Sequence, residues 1–322
     1  VLAAFAAVVA LSVAAIPGTA AAQDIDTLTI IVPFPAGGTT DALARIIGEK
    51  LQGKYAKTVV IDNKGGAGGR IGNEALIHAA PDGKTALLTL DLTLTLYQYV
   101  YKSLPYKLAD FAPVAQIGAS VQALAVGPRV PDSVKTLDEY MAWAGENEDN
   151  AFFAASGSGS GAFFIGLALS KAYDVPLTAI HYAGDAPMAA AALGGEVPAT
   201  IQMLPGLVPH TKEEGGLRVL AAGGDERSKY APEVPTFKEL GYDIKADIQA
   251  DIVMPAGTPE EFINKLSEAV IEIVNQPATQ EAFDKFGYET LTLGPAELQA
   301  SLERQVVTWG EVYAASGLTP EE

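Results

Sequence analysis

Along the chain, short runs of β-branched and aliphatic residues alternate with segments whose apolar positions recur every three to four residues. Leu28-Thr29-Ile30-Ile31-Val32 reads as a strand, and the segment after it sets Leu43, Ile46, Ile47 and Leu51 on one helical face. Thr58-Val59-Val60-Ile61 predicts a second strand, residues 71–80 a short helix, and residues 85–90 a third strand beyond the turn Pro81-Asp82-Gly83. Residues 114–126 predict two short strands. Thr136-Leu137-Asp138-Glu139 has the form of a capping box, with Glu139 able to reach back to the Thr136 backbone. A strand at 151–154 leads to a helix at 162–173, and a strand at 177–181 to a small-residue helix ending at Leu193. Thr258 as N-cap, Pro259 at N1 and Glu261 at N3 predict a helix over 259–275 that Pro277 stops, and a last helix covers 296–315. This alternation predicts an α/β protein with mostly parallel sheets, and the recurrence of strand, glycine-rich loop and helix in both halves suggests two similar domains facing one another.

Composition narrows the class. The chain is uncharged through Gln23, with an apolar core from Val8 to Ile16 and the small residues Ala20-Ala21-Ala22. Residues 1–22 therefore read as a secretory signal peptide, with a mature start near Gln23 or Asp24. A membrane anchor is the other reading, but the apolar run is short and broken by Pro17-Gly18. The roughly 300 residues that follow suit two domains of ordinary size. No other segment is long and apolar enough to cross a bilayer. Cysteine is absent, which excludes disulfides, thiol catalysis and thiolate metal sites. A net charge of −18 repels nucleic acid and anionic membranes, so neither is an expected partner.

Candidate chemistry sits in glycine-rich loops that feed helices. Pro33-Phe34-Pro35-Ala36-Gly37-Gly38-Thr39-Thr40-Asp41 joins the first strand to the first helix. The unpaired N–H groups and dipole of a helix N-terminus favour an anion there, although the same geometry also serves as an ordinary strand–helix connection. Ser156-Gly157-Ser158-Gly159-Ser160-Gly161 and Tyr182-Ala183-Gly184-Asp185 repeat the arrangement in the second half. All three supply neutral donors, which suit a carboxylate held without a charged partner. Asp91 marks the carboxyl end of the third strand, where ligands of open α/β sheets collect.

Other chemistries fit less well. A nucleophile elbow needs G-x-S-x-G, and the serine–glycine run is out of that register. His78, His181 and His210 are isolated, so no catalytic, metal or cofactor residue is assigned. Gly157-x-Gly159-x-x-Ala162 matches a loose dinucleotide fingerprint but lacks the acidic residue that should follow, and no phosphate P-loop is present. A secreted hydrolase acting through Ser158 and His181 remains the alternative from another class, as does a sensory receptor that signals its ligand state to a membrane kinase.

Taken together, several stretches carry a family likeness across essentially the whole chain after residue 22: residues 32–45; Asp62-Asn63-Lys64-Gly65-Gly66-Ala67-Gly68-Gly69-Arg70-Ile71-Gly72; Ala80-Pro81-Asp82-Gly83-Lys84-Thr85; His181-Tyr182-Ala183-Gly184; Gly194-Gly195-Glu196-Val197; and Met254-Pro255-Ala256-Gly257-Thr258-Pro259. They resemble the Bug-type periplasmic solute receptors of tripartite tricarboxylate transporters. The resemblance implies a two-lobed Venus-flytrap fold of type II-like periplasmic binding proteins with two hinge crossovers, near 117–120 and 246–251. Lobe 1 is expected to comprise residues 23–118 and 250–322, and lobe 2 residues 119–249. It implies a periplasmic, non-enzymatic, monomeric protein without a cofactor. Such a protein captures a small mono-, di- or tricarboxylate, aromatic ones included, and passes it to a membrane permease. Carried over, Gly37, Gly38, Thr39, Thr40 and Asp41 hold the proximal carboxylate, with Asp41 orienting the loop or a water. Ser156, Ser158, Gly159, Tyr182, Gly184 and Asp185 complete the site, with Asp91 at its edge. Three departures stand out: Gly65 replaces a usual proline, Ala183 a common lysine, and residues 248–251 lack a tryptophan often found there. Asp251 is expected as a solvated acid; selection of an amino- or hydroxyl-bearing ligand is its other reading.

Overall fold

The computed structural model describes residues 25–157, 159–182, 184–211, 215–244 and 246–321. The expected signal peptide and cleavage region, Ser158 and Ala183 lie outside the described residues. The first strand, β1 (Ile25–Val32), leads through α1 (Thr39–Leu51), β2 (Ala56–Asn63) and α2 (Arg70–Ile77) to β3 (Thr85–Leu90). β2 and β3 both run parallel to β1, with Ile30 opposite Ile61 on one side and Ala86 on the other. Short helices α3 (Asp91–Thr95) and α4 (Tyr97–Val100) precede β4 (Phe111–Val126). The second half contributes α5 (Leu137–Ala144), β5 (Phe152–Ala155), α6 (Gly161–Tyr173), β6 (Thr178–His181), α7 (Asp185–Leu193), β7 (Ala199–Met203), α8 (Leu204–Leu207) and β8 (Arg218–Ala222). The chain returns on β9 (Asp247–Pro255) and ends in α9 (Glu260–Val274), α10 (Pro277–Asp284) and α11 (Pro295–Ser316).

The strands follow the order β2-β1-β3-β9-β4-β7-β5-β6, with β8 also on β4. β4 is one strand of 16 residues rather than the two expected. It pairs antiparallel with β9 up to Val121, then with β7 from Gln122 and with β8 from Ala123. Its register slips after Pro113 and again after Gln116. Such bulges absorb an extra residue without ending the strand, which is why the sequence reads as broken there. Within the second, Gly118 lets the backbone approach Glu289, whose carbonyl oxygen would lie 2.8 Å from an added Cβ. The expectation of mostly parallel sheets is corrected as well: β3–β9, β4–β9, β4–β7 and β4–β8 are all antiparallel. Local periodicity carries no information about the direction of a partner 130 or so residues away.

Two cores make the protein two-lobed. In one, Leu28, Ile30 and Val32 of β1 meet Leu43, Ile47 and Leu51 of α1, Ile252 and Met254 of β9, and Leu266, Val270 and Ile273 of α9. In the other, Leu124 and Val126 of β4 meet Tyr140 and Met141 of α5, Phe153 of β5, and Ile165 and Leu169 of α6. Each fully buried Leu or Ile contributes about 1.5–3 kcal/mol. Helix α11 spans the division, packing Trp309 and Tyr313 against Phe164 of α6 at ring separations of 5.7 and 6.1 Å.

The Thr136 box forms as expected: Glu139 N–H donates to Thr136 Oγ1 at 3.2 Å, and Thr136 N–H donates to Glu139 Oε2 at 3.0 Å. The start of α9 differs. Pro259 is its N-cap, and Thr258 Oγ1 instead donates to the Pro255 carbonyl at 2.8 Å. Pro277 does not merely stop α9 but occupies the first turn of α10, where its missing N–H costs no hydrogen bond.

Candidate functional site

A cavity of about 620 Å³ opens where the first turns of α1 and α6 face the hinge strands. On the α1 side, Gly37 takes φ +85°, a conformation that disfavours any residue with a Cβ. Its N–H donates to Asp41 Oδ2 at 2.9 Å, and Arg45 pairs with the same carboxylate. The Arg45 guanidinium, followed by the Gly37 N–H and the Asn63 amide, holds the Asp41 carboxyl below its usual range despite its burial. Asp41 is thereby fixed as an internal brace of the loop. The N-cap of α1, Gly38, has no side chain to cap the first turn. Thr39 and Thr40 line the cavity directly in front of it.

The α6 side is built differently. Ser160 is N-cap, accepting the Phe163 N–H at 3.2 Å and donating to the Gly157 carbonyl at 2.7 Å. Ser156, Gly157, Gly159, Ser160 and Gly161 all face the cavity. An added Cβ at 161 would stand 2.4 Å from Gln122 Oε1, so the glycine leaves room for that amide against the helix start.

Aromatic and aliphatic groups form the remaining wall: Phe34, Leu90, Leu92, Tyr97, Tyr101, Met203, Ile248, Phe286 and Tyr288. Tyr97 donates its hydroxyl to the Gly68 carbonyl at 2.9 Å, tying the second glycine-rich loop to α4. The Arg70 guanidinium lies 3.7 Å from the Tyr101 ring centroid, a cation–π contact. Gln122 is only 6% exposed, and its Oε1 has no hydrogen-bond partner among the described residues. Asp185 is reached by solvent through the cavity, yet the surrounding protein raises its carboxyl above the usual range, opposed by a hydrogen bond from the Met203 N–H. Tyr288 is buried, which raises its phenol, and Asp91, Asp185 and Asp251 act on it in the same direction.

Of the residues singled out from sequence, Thr39, Thr40, Ser156, Gly159 and Asp185 come together on the cavity wall. Gly37, Gly38 and Asp41 stand behind Thr39 as its support. Gly184 caps α7 with φ +109° and sits behind Asp185. Asp91 is buried beneath the wall, where it accepts the Gln249 N–H at 3.1 Å. Tyr182 is directed elsewhere: its hydroxyl donates to Glu196 Oε1 at 2.8 Å, beside a separate recess containing Arg129 and Ile180. Asp251 is fully buried between Thr89 and Gln116 of neighbouring strands, not solvated as expected.

Sequence reasoning missed Gln122, Tyr97, Tyr101, Phe286 and Tyr288. A signal existed for Gln122, an amide within the apolar stretch Val121-Gln122-Ala123-Leu124-Ala125-Val126. The aromatics come from two distant segments, around 97–101 and 286–288, and share no local pattern. His181 is exposed beside Phe163, 5.9 Å between ring centroids. Among the described residues, no group of histidine and carboxylate side chains could hold a metal ion, and no helix is long and apolar enough to cross a membrane.

Comparison with known proteins follows this geometry. A family model described as the tripartite tricarboxylate transporter family receptor, TctC, matches residues 43–318. Protein BugT of Bordetella pertussis is 31% identical over 93% of this chain and 94% of its own length. Among solved structures, R. palustris Rpa4515 with adipate is 28% identical, covers 92% of this chain and 99% of its own, and superposes with a TM-score of 0.79. MatC from Rhodopseudomonas palustris with bound malate is 26% identical, covers 90% and 99%, and gives 0.75.

Proposed function

The chain belongs to the tripartite tricarboxylate transporter receptor family, and from that premise we propose that it captures a small organic carboxylate in the cavity between α1 and α6. The observation that carries this reading is the convergence of two helix N-termini on one cavity, α1 without a side-chain cap and both fringed by hydroxyls. Backbone N–H groups and helix dipoles stabilise an anion there without a basic side chain. Thr39 and Thr40, supported by Gly37, Gly38 and the Asp41 brace, receive one carboxylate. Ser156 and Gly159 approach from the other side of the cavity, with Asp185 at the far wall and Gly184 holding its helix start. Malate and adipate in the related structures support a carboxylate as the class of cargo.

The lobes are taken to divide where β4 leaves β9 at Val121 and where the chain re-enters at Ala246, so residues near both points form the hinge. Ligand bound on both sides holds the lobes together, and the closed form is what a membrane permease recognises. The protein acts outside the cytoplasm as a monomeric carrier, not an enzyme. Native mass spectrometry of freshly purified protein tests for retained cargo. A thermal-shift screen of mono-, di- and tricarboxylates tests the class, since a ligand at a hundredfold excess over Kd adds about 2.7 kcal/mol of stability. Absence of both retained acid and any thermal shift would overturn the proposal.

A further inference from the structure

In the turn that follows α10, alternate residues face different spaces. Phe286 and Tyr288 line the cavity, whereas Gly287 and Glu289 line a second recess of about 740 Å³. The hinge strands lie between the two, because successive strand residues point to opposite faces: Gln122 and Ile248 face the cavity, and Val121 and Asp247 the recess. The turn starts in the first core, where Phe283 is fully buried. Its outer grip comes from the other lobe. Lys229 Nζ and the Tyr230 hydroxyl both donate to Asp284 Oδ1, at 2.6 and 3.0 Å, and Ser228 Oγ donates to Glu289 Oε1 at 3.1 Å. Ala231, next in the chain, is buried with Ala123 and Ala125 of β4 and with Leu204 and Leu207 of α8. From the same α8, Pro205 meets Gly287 so closely that a Cβ added to the glycine would stand 2.3 Å away.

We propose that Ser228, Lys229 and Tyr230 form a clasp that fixes the aromatic wall formed by Phe286 and Tyr288 to the lobe carrying β8 and α8. When the hinge bends, the wall then follows that lobe, although its chain is continuous with α10 of the other. This goes beyond the capture reading and does not depend on which cargo the cavity takes. An exposed ion pair alone contributes little, and the Lys229 and Asp284 side chains are 51% and 38% exposed. Two further contacts strengthen the grip. The half-buried Tyr230 hydroxyl shares the same carboxylate oxygen, and burial, followed by that hydrogen bond, raises the phenol and keeps it a donor. At the far end the Glu289 backbone pairs with Ala119 of β4 in both directions, at 2.8 and 2.9 Å, which holds the turn within reach of Ser228.

The chain has no cysteine, so paired spin labels can be placed on it without background. One pair joins Lys285→Cys on the turn to Lys171→Cys on α6; the other joins Lys285→Cys to Glu268→Cys on α9. Lys229→Met and Asp284→Asn are each expected to broaden the first distance distribution and leave the second unchanged. The double variant is expected to do no more than Asp284→Asn alone, and Lys229→Arg to behave as the wild type. Hydrogen exchange at Phe286, Gly287 and Tyr288, whose N–H groups bond to Phe283 and Asp284 carbonyls, is expected to rise about fivefold in the same variants. Unchanged distributions and unchanged exchange in both single variants would overturn the clasp, as would effects that add in the double variant. A second distribution that broadens as much as the first assigns the contact to the stability of α10 rather than to a tie between lobes, and overturns it too. Neither readout needs a bound acid, so failure here leaves carboxylate capture untouched.

Discussion

Gly37 donates its N–H to the carboxylate of Asp41 at 2.9 Å, so a left-handed glycine and the first turn of the helix that follows are locked to one another. Arg45, one turn further on, closes the clamp. Removing the carboxylate leaves the loop without its anchor. Asp41→Ala is expected to cost about 1–3 kcal/mol in urea unfolding, the usual range for a buried charge-assisted hydrogen bond.

The same clamp has a pH signature. Arg45 and then the Gly37 N–H hold the folded-state pKa of Asp41 below its unfolded value of 3.8. Its contribution to stability is therefore present above that value and is lost as pH falls through the lower, folded one. Unfolding midpoints of the wild type and Asp41→Asn should differ at pH 6 and converge on acidification below about 3.8. Parallel curves over that range would show that Asp41 is not coupled to folding.

Thr40 is buried and lines the cavity at the end of α1. Thr40→Val keeps its shape and removes its hydroxyl. The change should weaken carboxylate binding about tenfold, equivalent to about 1.4 kcal/mol, while the unliganded melting temperature moves little. Unchanged affinity in a calorimetric titration would place the carboxylate elsewhere.

Gly166 lies on α6 where that helix crosses β5, and an added Cβ would stand 2.1 Å from the Phe153 ring. Gly166→Ala must push the ring or the helix aside. A loss of about 1–3 kcal/mol is expected, as for other overpacked cores. Because α6 also presents the Ser156–Gly161 turn to the cavity, ligand affinity should fall with stability. A stable variant with normal affinity would mean that α6 can shift without disturbing its N-terminus.

Thr136→Ala removes a helix cap far from the cavity and should cost about 1 kcal/mol without altering affinity. That cap was legible because every partner lies within four residues. The β1–α1 and β5–α6 units were legible for the same reason: strand, glycine turn and helix are contiguous. Thr258 shows where such reading stops. Its sequence context suits a cap, but the preceding turn takes the hydroxyl first, through the Pro255 carbonyl. The long pairing of β4 with β9, and the meeting of Gln122, Tyr97, Phe286 and Tyr288 around one space, depend on tertiary contacts across more than a hundred residues. Asp251 was misread for that reason as well. Its strand neighbours Thr89 and Gln116 bury it, and neither is near it in sequence.

The packing of Trp309 on Phe164 gives the molecule an intrinsic optical gauge. The chain has two tryptophans; Trp143 belongs to the periphery of the α5 core, whereas Trp309 is 3% exposed where α11 packs on α6. An opening of the α6–α11 packing would wet Trp309, whereas Trp143 is already half-exposed. In a Trp143→Phe background, the emission wavelength of the remaining indole therefore reports whether the α6–α11 packing opens, with no label attached and no cargo identified beforehand.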